Sequence, residues 1–155
     1  MKKVFLVGST GYIGEVFTQQ MFKNPEIQCL PVPHWKLYRE VSGPEDTKIE
    51  REHDYEKLIT LLSEFQPDLF INASGYIGKP NVDACEENKE ATHEGNVEFP
   101  TFLAKCCAQV GIPFAHVSSG CIYGGYKEDG SGYTEEEPPN FDFTNGSYYS
   151  GTKVL

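Results

Sequence analysis

Apolar positions along the chain alternate between two patterns, short continuous runs and stripes at helical spacing. KVFLV at Lys3–Val7 is a continuous apolar run, which predicts a parallel strand buried on both faces. GSTGYIG follows, and EVFTQQMFKN then places Val16, Phe17, Met21 and Phe22 at helical spacing until Pro25 stops them. IQCLPV is a second strand, weakened by Pro31 and Pro33. Trp35 to Glu52 is polar and irregular, and predicts only a short strand near Thr47–Glu50. DYEKLITLLSEF is an amphipathic helix that turns Leu58, Ile59, Leu61, Leu62 and Phe65 inward, and Pro67 ends it. DLFINAS is the next buried strand. From Val82 to Val110 helical spacing dominates, with Phe99, Phe102, Leu103, Cys106, Cys107 and Val110 on one stripe. Pro100 marks a helix start or a kink, and Gly111 caps the end. IPFAHVSS reads as a further strand. SYYSGTKVL opens a helix with Ser147 at its N-cap. Between them, Gly120 to Gly146 is a long loop rich in Gly, Pro and acids, of a length that is usually functional or disordered. Strand–helix alternation of this kind predicts an α/β fold, a doubly wound parallel sheet with helices on both faces.

Composition narrows the classes. A chain of 155 residues with 39% hydrophobic residues builds one domain with a real core. No apolar run approaches the roughly 18 residues of a membrane span. The opening MKKVFLVG is too short an apolar run for a signal peptide and leads into a glycine loop, so the expected compartment is cytoplasmic. The formal net charge of −10, with no basic stripe, argues against nucleic acid as a partner. An anionic ligand would need a local site such as a helix N-terminus. EENKE and YTEEEPP are solvated faces or loops. The five cysteines, Cys29, Cys85, Cys106, Cys107 and Cys121, are odd in number and irregularly spaced, which argues against disulfides. No Cys/His spacing fits a zinc site, and no metal is expected.

The turn after the first strand changes the picture. Gly8, Gly11 and Gly14 form G-x-x-G-x-x-G between a strand and a helix. One glycine permits the tight turn, one lets a pyrophosphate approach the backbone, and one lets helix and strand pack closely. The acidic residue that usually follows the second strand and holds a ribose hydroxyl is missing. His34, Lys36 and Arg39 stand in that region instead. They suit a 2′-phosphate, so NADPH is the expected cofactor, with NADH the alternative; ordinary surface residues are the competing reading.

Tyr149 and Lys153 stand four apart, on one face of a helix. An ammonium near a phenol favours phenolate, so the Tyr149 pKa is expected below about 10. Such a tyrosine donates a proton to a developing alkoxide. Ser119, at the end of a strand, would polarise the same carbonyl. The set suits hydride transfer between nicotinamide and a ketone.

These residues resemble the extended short-chain dehydrogenase/reductase family. The matching stretches are GSTGYIG, NASG at Asn72–Gly75, GNV around Asn96, Ser119 and YSGTK. INASGYIGKPNVDACEENKEATHEGNV and the SSGCIY stretch look most like its nucleotide-rhamnose synthase branch, which is similar to dTDP-4-dehydrorhamnose reductase. The resemblance implies a Rossmann-type NADP-binding domain over residues 1–155, truncated before a C-terminal substrate domain. It implies cofactor contacts at Gly8, Thr10, Gly11, Tyr12, Ile13, Gly14, Ala73, Ser74, Gly75, Tyr149 and Lys153. It also implies a catalytic set of Ser119, Cys121, Tyr149 and Lys153. Epimerase-reductases share a Ser-x-Cys arrangement in which the thiol exchanges a proton on carbon beside the ketone, and Ser119 with Cys121 fits it. A small buried cysteine at a strand end is the plainer reading of Cys121. Cys106 and Cys107 belong to the core, and Cys29 and Cys85 receive no role. The implied function is NADPH-dependent 3,5-epimerisation and 4-keto reduction of a UDP- or dTDP-linked 4-keto-6-deoxy sugar, in a homodimer. A plain 4-keto-sugar reductase and a non-catalytic NADP-binding regulatory subunit are the alternatives.

Overall fold

The computed structural model describes residues 1–42 and 54–155, and the side chains of 1–38 and 54–155. The strand expected near Thr47–Glu50 and the side chain of Arg39 lie outside the described residues. The chain forms two compact units, one of Met1–Gly75 with Phe99–Val117, the other of Tyr76–Glu98 with Ser118–Leu155.

In the first unit four parallel strands, β1 (Lys2–Val7), β2 (Ile27–Val32), β3 (Leu69–Asn72) and β4 (Phe114–His116), lie in the order β2-β1-β3-β4. Side chains alternate across β1. Phe5 and Val7 enter one core with Phe70, Leu58 and Leu62 of α3 (Tyr55–Phe65), and Phe99, Phe102, Leu103, Cys106 and Cys107 of α5 (Phe99–Val110). Val4, Leu6 and Ile71 enter the other, against Phe17 and Met21 of α1 (Tyr12–Phe22). Helices therefore cover both faces, and the doubly wound architecture expected from the alternation is the one formed.

Pro31 is accommodated because β2 is the outer strand of this sheet. The Val32 carbonyl accepts from Gly8 N–H at 3.0 Å. Polar groups of the neighbouring residue point the other way, so the nitrogen of Pro31 faces the unpaired side and no ladder bond is lost. The region read as irregular after β2 contains a helix, α2 (His34–Ser42). Its buried anchor is Leu37, with His34 and Tyr38 packed on Phe99 at ring separations of 5.0 and 5.3 Å. Two aliphatic residues, Leu37 and Val41, among polar and aromatic ones directly after two prolines do not stand out as a helical stripe.

The second unit holds a 3₁₀ turn (Val82–Cys85), α4 (Lys89–His93), a π-helical turn (Glu94–Glu98), a second 3₁₀ turn (Gly120–Ile122) and α6 (Tyr148–Val154). The long helical stretch expected over 82–110 is thus broken. Pro100, the second residue of α5, supplies no N–H, and the turn before it widens to π. Ser147 caps α6 as expected, its hydroxyl accepting from Ser150 N–H at 3.2 Å.

The loop before α6 is tied to itself. Tyr123 stacks on Tyr133 at 5.3 Å, Lys127 pairs with Glu137 at 2.7 Å, and the Asn140 amide bonds both backbone groups of Gly124 at 2.8 and 2.9 Å. These contacts order the loop, so the disordered alternative expected for its length is not the one formed.

All five cysteines are free thiols. Cys106 and Cys107 have no exposure, and burial pushes their pKa values up to about 11 and about 12. Both should therefore stay unmodified by iodoacetamide at pH 8 in the native protein, where half-buried Cys121 reacts, and should react only after denaturation. Peptide mass spectrometry reads the outcome.

Candidate functional site

The glycine turn lies in the first unit. Gly8 has φ +84°, and a Cβ there would meet the Ala73 carbonyl carbon and Ser74 nitrogen, each at 2.7 Å. A Cβ on Gly14 would lie 2.1 Å from the Gly8 carbonyl oxygen. The end of β1, the residues after β3 and the first turn of α1 therefore approach as close as backbone allows. Gly11 occupies the N-cap of α1 and offers no side-chain cap. The leading N–H groups of that 11-residue helix are thus left for an anion, beside exposed Thr10, Gly11 and Tyr12. This is the cradle that a dinucleotide pyrophosphate fits.

Asn72, fully buried, organises the strand ends on the same unit. Its Oδ1 accepts from Ser74 N–H at 3.0 Å and from the Ser74 hydroxyl, and its amide meets His116 Nδ1 at 3.1 Å. That network holds Ala73, Ser74 and Gly75 in place after β3. Of the residues suggested for a 2′-phosphate, His34 is engaged by the Phe99 and Tyr38 rings, while Lys36 is exposed.

Ser119, Cys121, Tyr149 and Lys153 all lie in the second unit. The structure brings them together. Ser119 caps the 3₁₀ turn, accepting from Cys121 N–H at 3.4 Å and from the Cys121 thiol at 2.9 Å. A Cβ on Gly120, between them, would point into open space. Ser119 also acts on the Tyr149 phenol, lowering its pKa against the larger effect of burial. One turn of α6 further on, the Lys153 ammonium sits 5.7 Å from the centre of the Tyr149 ring.

The electrostatics correct one expectation. The Tyr149 pKa is raised, not lowered: burial is the main cause, the charge of Cys121 adds to it, and the Ser119 hydrogen bond opposes it. Burial likewise lowers the Lys153 pKa, against the attraction of Cys121 and Cys85. The ammonium lies over the ring face instead of pairing with the oxygen, so desolvation wins.

Three supporting residues carried no role in the sequence reading. Asn96 is buried in the π-helical turn, its Oδ1 accepting from Tyr76 N–H at 2.8 Å. Its amide donates to the Tyr76 carbonyl at 2.9 Å and to Thr152 Oγ1 at 3.2 Å. Thr152 in turn donates to the Tyr149 carbonyl at 2.7 Å. An Asn inside a helical stripe is disfavoured unless its amide has work to do, and that was the available signal. Cys85, fully buried, is close enough to act electrostatically on both Tyr149 and Lys153.

A parallel sheet wrapped on both faces, a glycine cradle at a helix start and a Ser–Tyr–Lys set define an extended short-chain dehydrogenase/reductase. Within that class the chain belongs to the family described as "RmlD substrate binding domain", whose model matches residues 1–154. It is 35% identical over 109 residues to the bifunctional dTDP-4-dehydrorhamnose 3,5-epimerase/dTDP-4-dehydrorhamnose reductase of Arabidopsis thaliana, a match covering 68% of this chain and 35% of that protein. It is 32% identical over 157 residues to a trifunctional UDP-glucose 4,6-dehydratase/UDP-4-keto-6-deoxy-D-glucose 3,5-epimerase/UDP-4-keto-L-rhamnose-reductase of the same plant, covering 99% of this chain and 21% of that one. Among solved structures, the UDP-rhamnose synthase of Acanthamoeba polyphaga mimivirus aligns with a TM-score of 0.74 at 23% identity, over 98% of this chain and 49% of that one. The dTDP-4-dehydrorhamnose reductase of Bacillus anthracis, solved with NADP, aligns with a TM-score of 0.72 at 20% identity, over 99% and 47%. The chain thus spans about half the length of these solved relatives and less of the curated ones.

Proposed function

We propose that residues 1–155 are the NADP-binding and catalytic portion of an epimerase/reductase for a nucleotide-linked 4-keto-6-deoxy sugar, working in the cytoplasm. The observation that carries this reading is the single cluster of Ser119, Cys121, Tyr149 and Lys153. The curated relatives named above, with epimerase and reductase activities on UDP- or dTDP-linked sugars, support it.

The glycine cradle and the free N–H groups of α1 are the residues that would hold the cofactor pyrophosphate, with Ala73, Ser74 and Gly75 alongside. A nicotinamide dinucleotide bound there supplies the hydride. Ser119 hydrogen-bonds the sugar carbonyl, Cys121 is one epimerisation base that takes the proton from the neighbouring carbon, which the polarised carbonyl has made acidic, and a second, solvent-exchanging acid returns a proton to the opposite face of that carbon. Tyr149 gives its proton to the oxygen when the ketone becomes an alcohol. Lys153 orients the cofactor ribose.

The test is turnover of UDP-4-keto-6-deoxyglucose by the intact protein with NADPH in deuterated water. The expected product is a reduced L-configured sugar carrying solvent deuterium on the carbons flanking the former ketone. A reduced sugar without that label overturns the epimerase half, and no NADPH consumption overturns the whole.

A further inference from the structure

The turn that carries Cys121 and the helix that carries Tyr149 are separated in the chain by one long loop, and two consecutive residues of that loop grip both. Asn140 holds the turn. Its Oδ1 accepts from Gly124 N–H at 2.8 Å, and its amide donates to the Gly124 carbonyl at 2.9 Å and to the Tyr133 hydroxyl at 2.8 Å. Both amide hydrogens and the side-chain oxygen of Asn140 are therefore engaged. The residue before Gly124 is tied in as well. Tyr123 N–H closes the 3₁₀ turn on the Gly120 carbonyl at 3.1 Å, and the Tyr123 hydroxyl donates to the Glu137 carbonyl at 2.8 Å. The chain leaving Cys121 is thus pinned at once to the far limb of the loop.

Phe141 holds the helix. A Cβ on Gly146 would overlap its ring, and a Cβ on Gly151 would stand 3.4 Å from the ring edge. Gly151 is buried in α6, between Tyr149 and Lys153. Phe143 braces the Phe141 ring edge-on, with the centroids 5.0 Å apart. Gly146 N–H donates to the Asp142 carbonyl at 2.7 Å and closes the bend that leads into α6. Two glycines without side chains therefore let an aromatic ring lie against the helix backbone that carries the tyrosine.

We propose that Asn140 and Phe141 form a staple that sets the thiol turn against the tyrosine helix, and that both are positioning residues for the reaction proposed above, on which this inference rests. The thiol works on a carbon and the phenol on the oxygen of the neighbouring carbonyl, so one substrate fixes the separation the two must keep. A misplacement of about 1 Å can cost about 10²-fold in rate. A direct hydrogen bond also joins the two parts, from the Ser118 hydroxyl to the Lys153 carbonyl, but at 3.4 Å and exposed it is too weak to hold that separation.

The experiment joins native-state amide hydrogen exchange, read by peptide mass spectrometry, to steady-state kinetics of the intact protein. Asn140→Ala opens the staple at the turn and Phe141→Ala opens it at the helix. Each variant is expected to speed exchange by about tenfold in both segments, 119–124 and 147–151, the scale of one hydrogen bond lost. A side chain with a merely local role would speed only the segment it touches. For turnover of UDP-4-keto-6-deoxyglucose with NADPH, kcat is expected to fall by about 10–100-fold in each variant. The KM for NADPH stays unchanged, because the glycine cradle lies in the other unit. The double variant loses no more than the worse single one, since a staple opened at one end is already open. Faster exchange confined to the altered side, additive losses in kcat, or kcat at the wild-type value overturns the staple. Exchange needs no substrate, so its failure leaves the proposed reaction standing. Wild-type protein that does not turn over the sugar sinks that reaction and the positioning role with it.

Discussion

Tyr149→Phe is expected to lower kcat for ketone reduction by about 10²–10⁴-fold, the range a positioned general acid supplies, with KM changed little. The reason is chemical and local. The variant keeps the ring that Lys153 covers and removes only the phenol oxygen. The pH dependence follows from the direction of the tyrosine shift. An acid must enter protonated, so reduction is retained at low pH and falls as pH rises through the Tyr149 pKa. Burial and the Cys121 charge move that pKa above the ordinary phenol value, so the falling limb lies further to the alkaline side than an unperturbed tyrosine would put it. Steady-state rates of NADPH oxidation across pH read both effects. Unchanged kcat in the variant would remove Tyr149 from the chemistry.

The second large effect is steric. Gly14→Ala places a Cβ 2.1 Å from the Gly8 carbonyl oxygen and 2.7 Å from its carbon, and backbone on that side cannot step aside as a flexible side chain would. Overpacking a tight interior costs about 1–3 kcal/mol, and this contact belongs at or above the top of that range. Against a total stability of about 5–15 kcal/mol, chemical denaturation should show the loss as a clear fall in midpoint. Gly11→Ala is the internal control. Its Cβ would sit 3.4 Å from the Gly8 oxygen, an ordinary contact, so the loss should be limited to about 0.5–1 kcal/mol, the scale of placing Ala at an N-cap. Equal effects at the two positions would mean that close packing is not what the third glycine provides.

The reach of the sequence is clearest where a feature depends on residues near one another along the chain. Apolar runs marked the sheet strands, i, i+3 and i+4 spacing marked α3 and the core face of α5, and three glycines marked the turn between β1 and α1. Ser147 announced the start of α6, and Tyr149 with Lys153 announced its working face. The helix over 34–42 is hard to see in the sequence because its short stripe, Leu37 and Val41, stands among polar and aromatic residues directly after Pro31 and Pro33. The stretch 82–110 was read as more uniform than it is. Helical spacing reports which residues face a core, and it does not report where the backbone widens into a π turn.

By itself the amino-acid sequence determined the α/β alternation, the glycine turn between β1 and α1 and the four side chains proposed for the reaction, since each is encoded within a few residues. Tertiary structure alone decided the strand order, the clamp that Asn96 places on Tyr76 and Thr152, residues 20 and 56 positions away, and the sign of the Tyr149 shift. The physical reason is common to all three. They depend on which distant groups exclude water or share a proton at one place, and no local spacing carries that information.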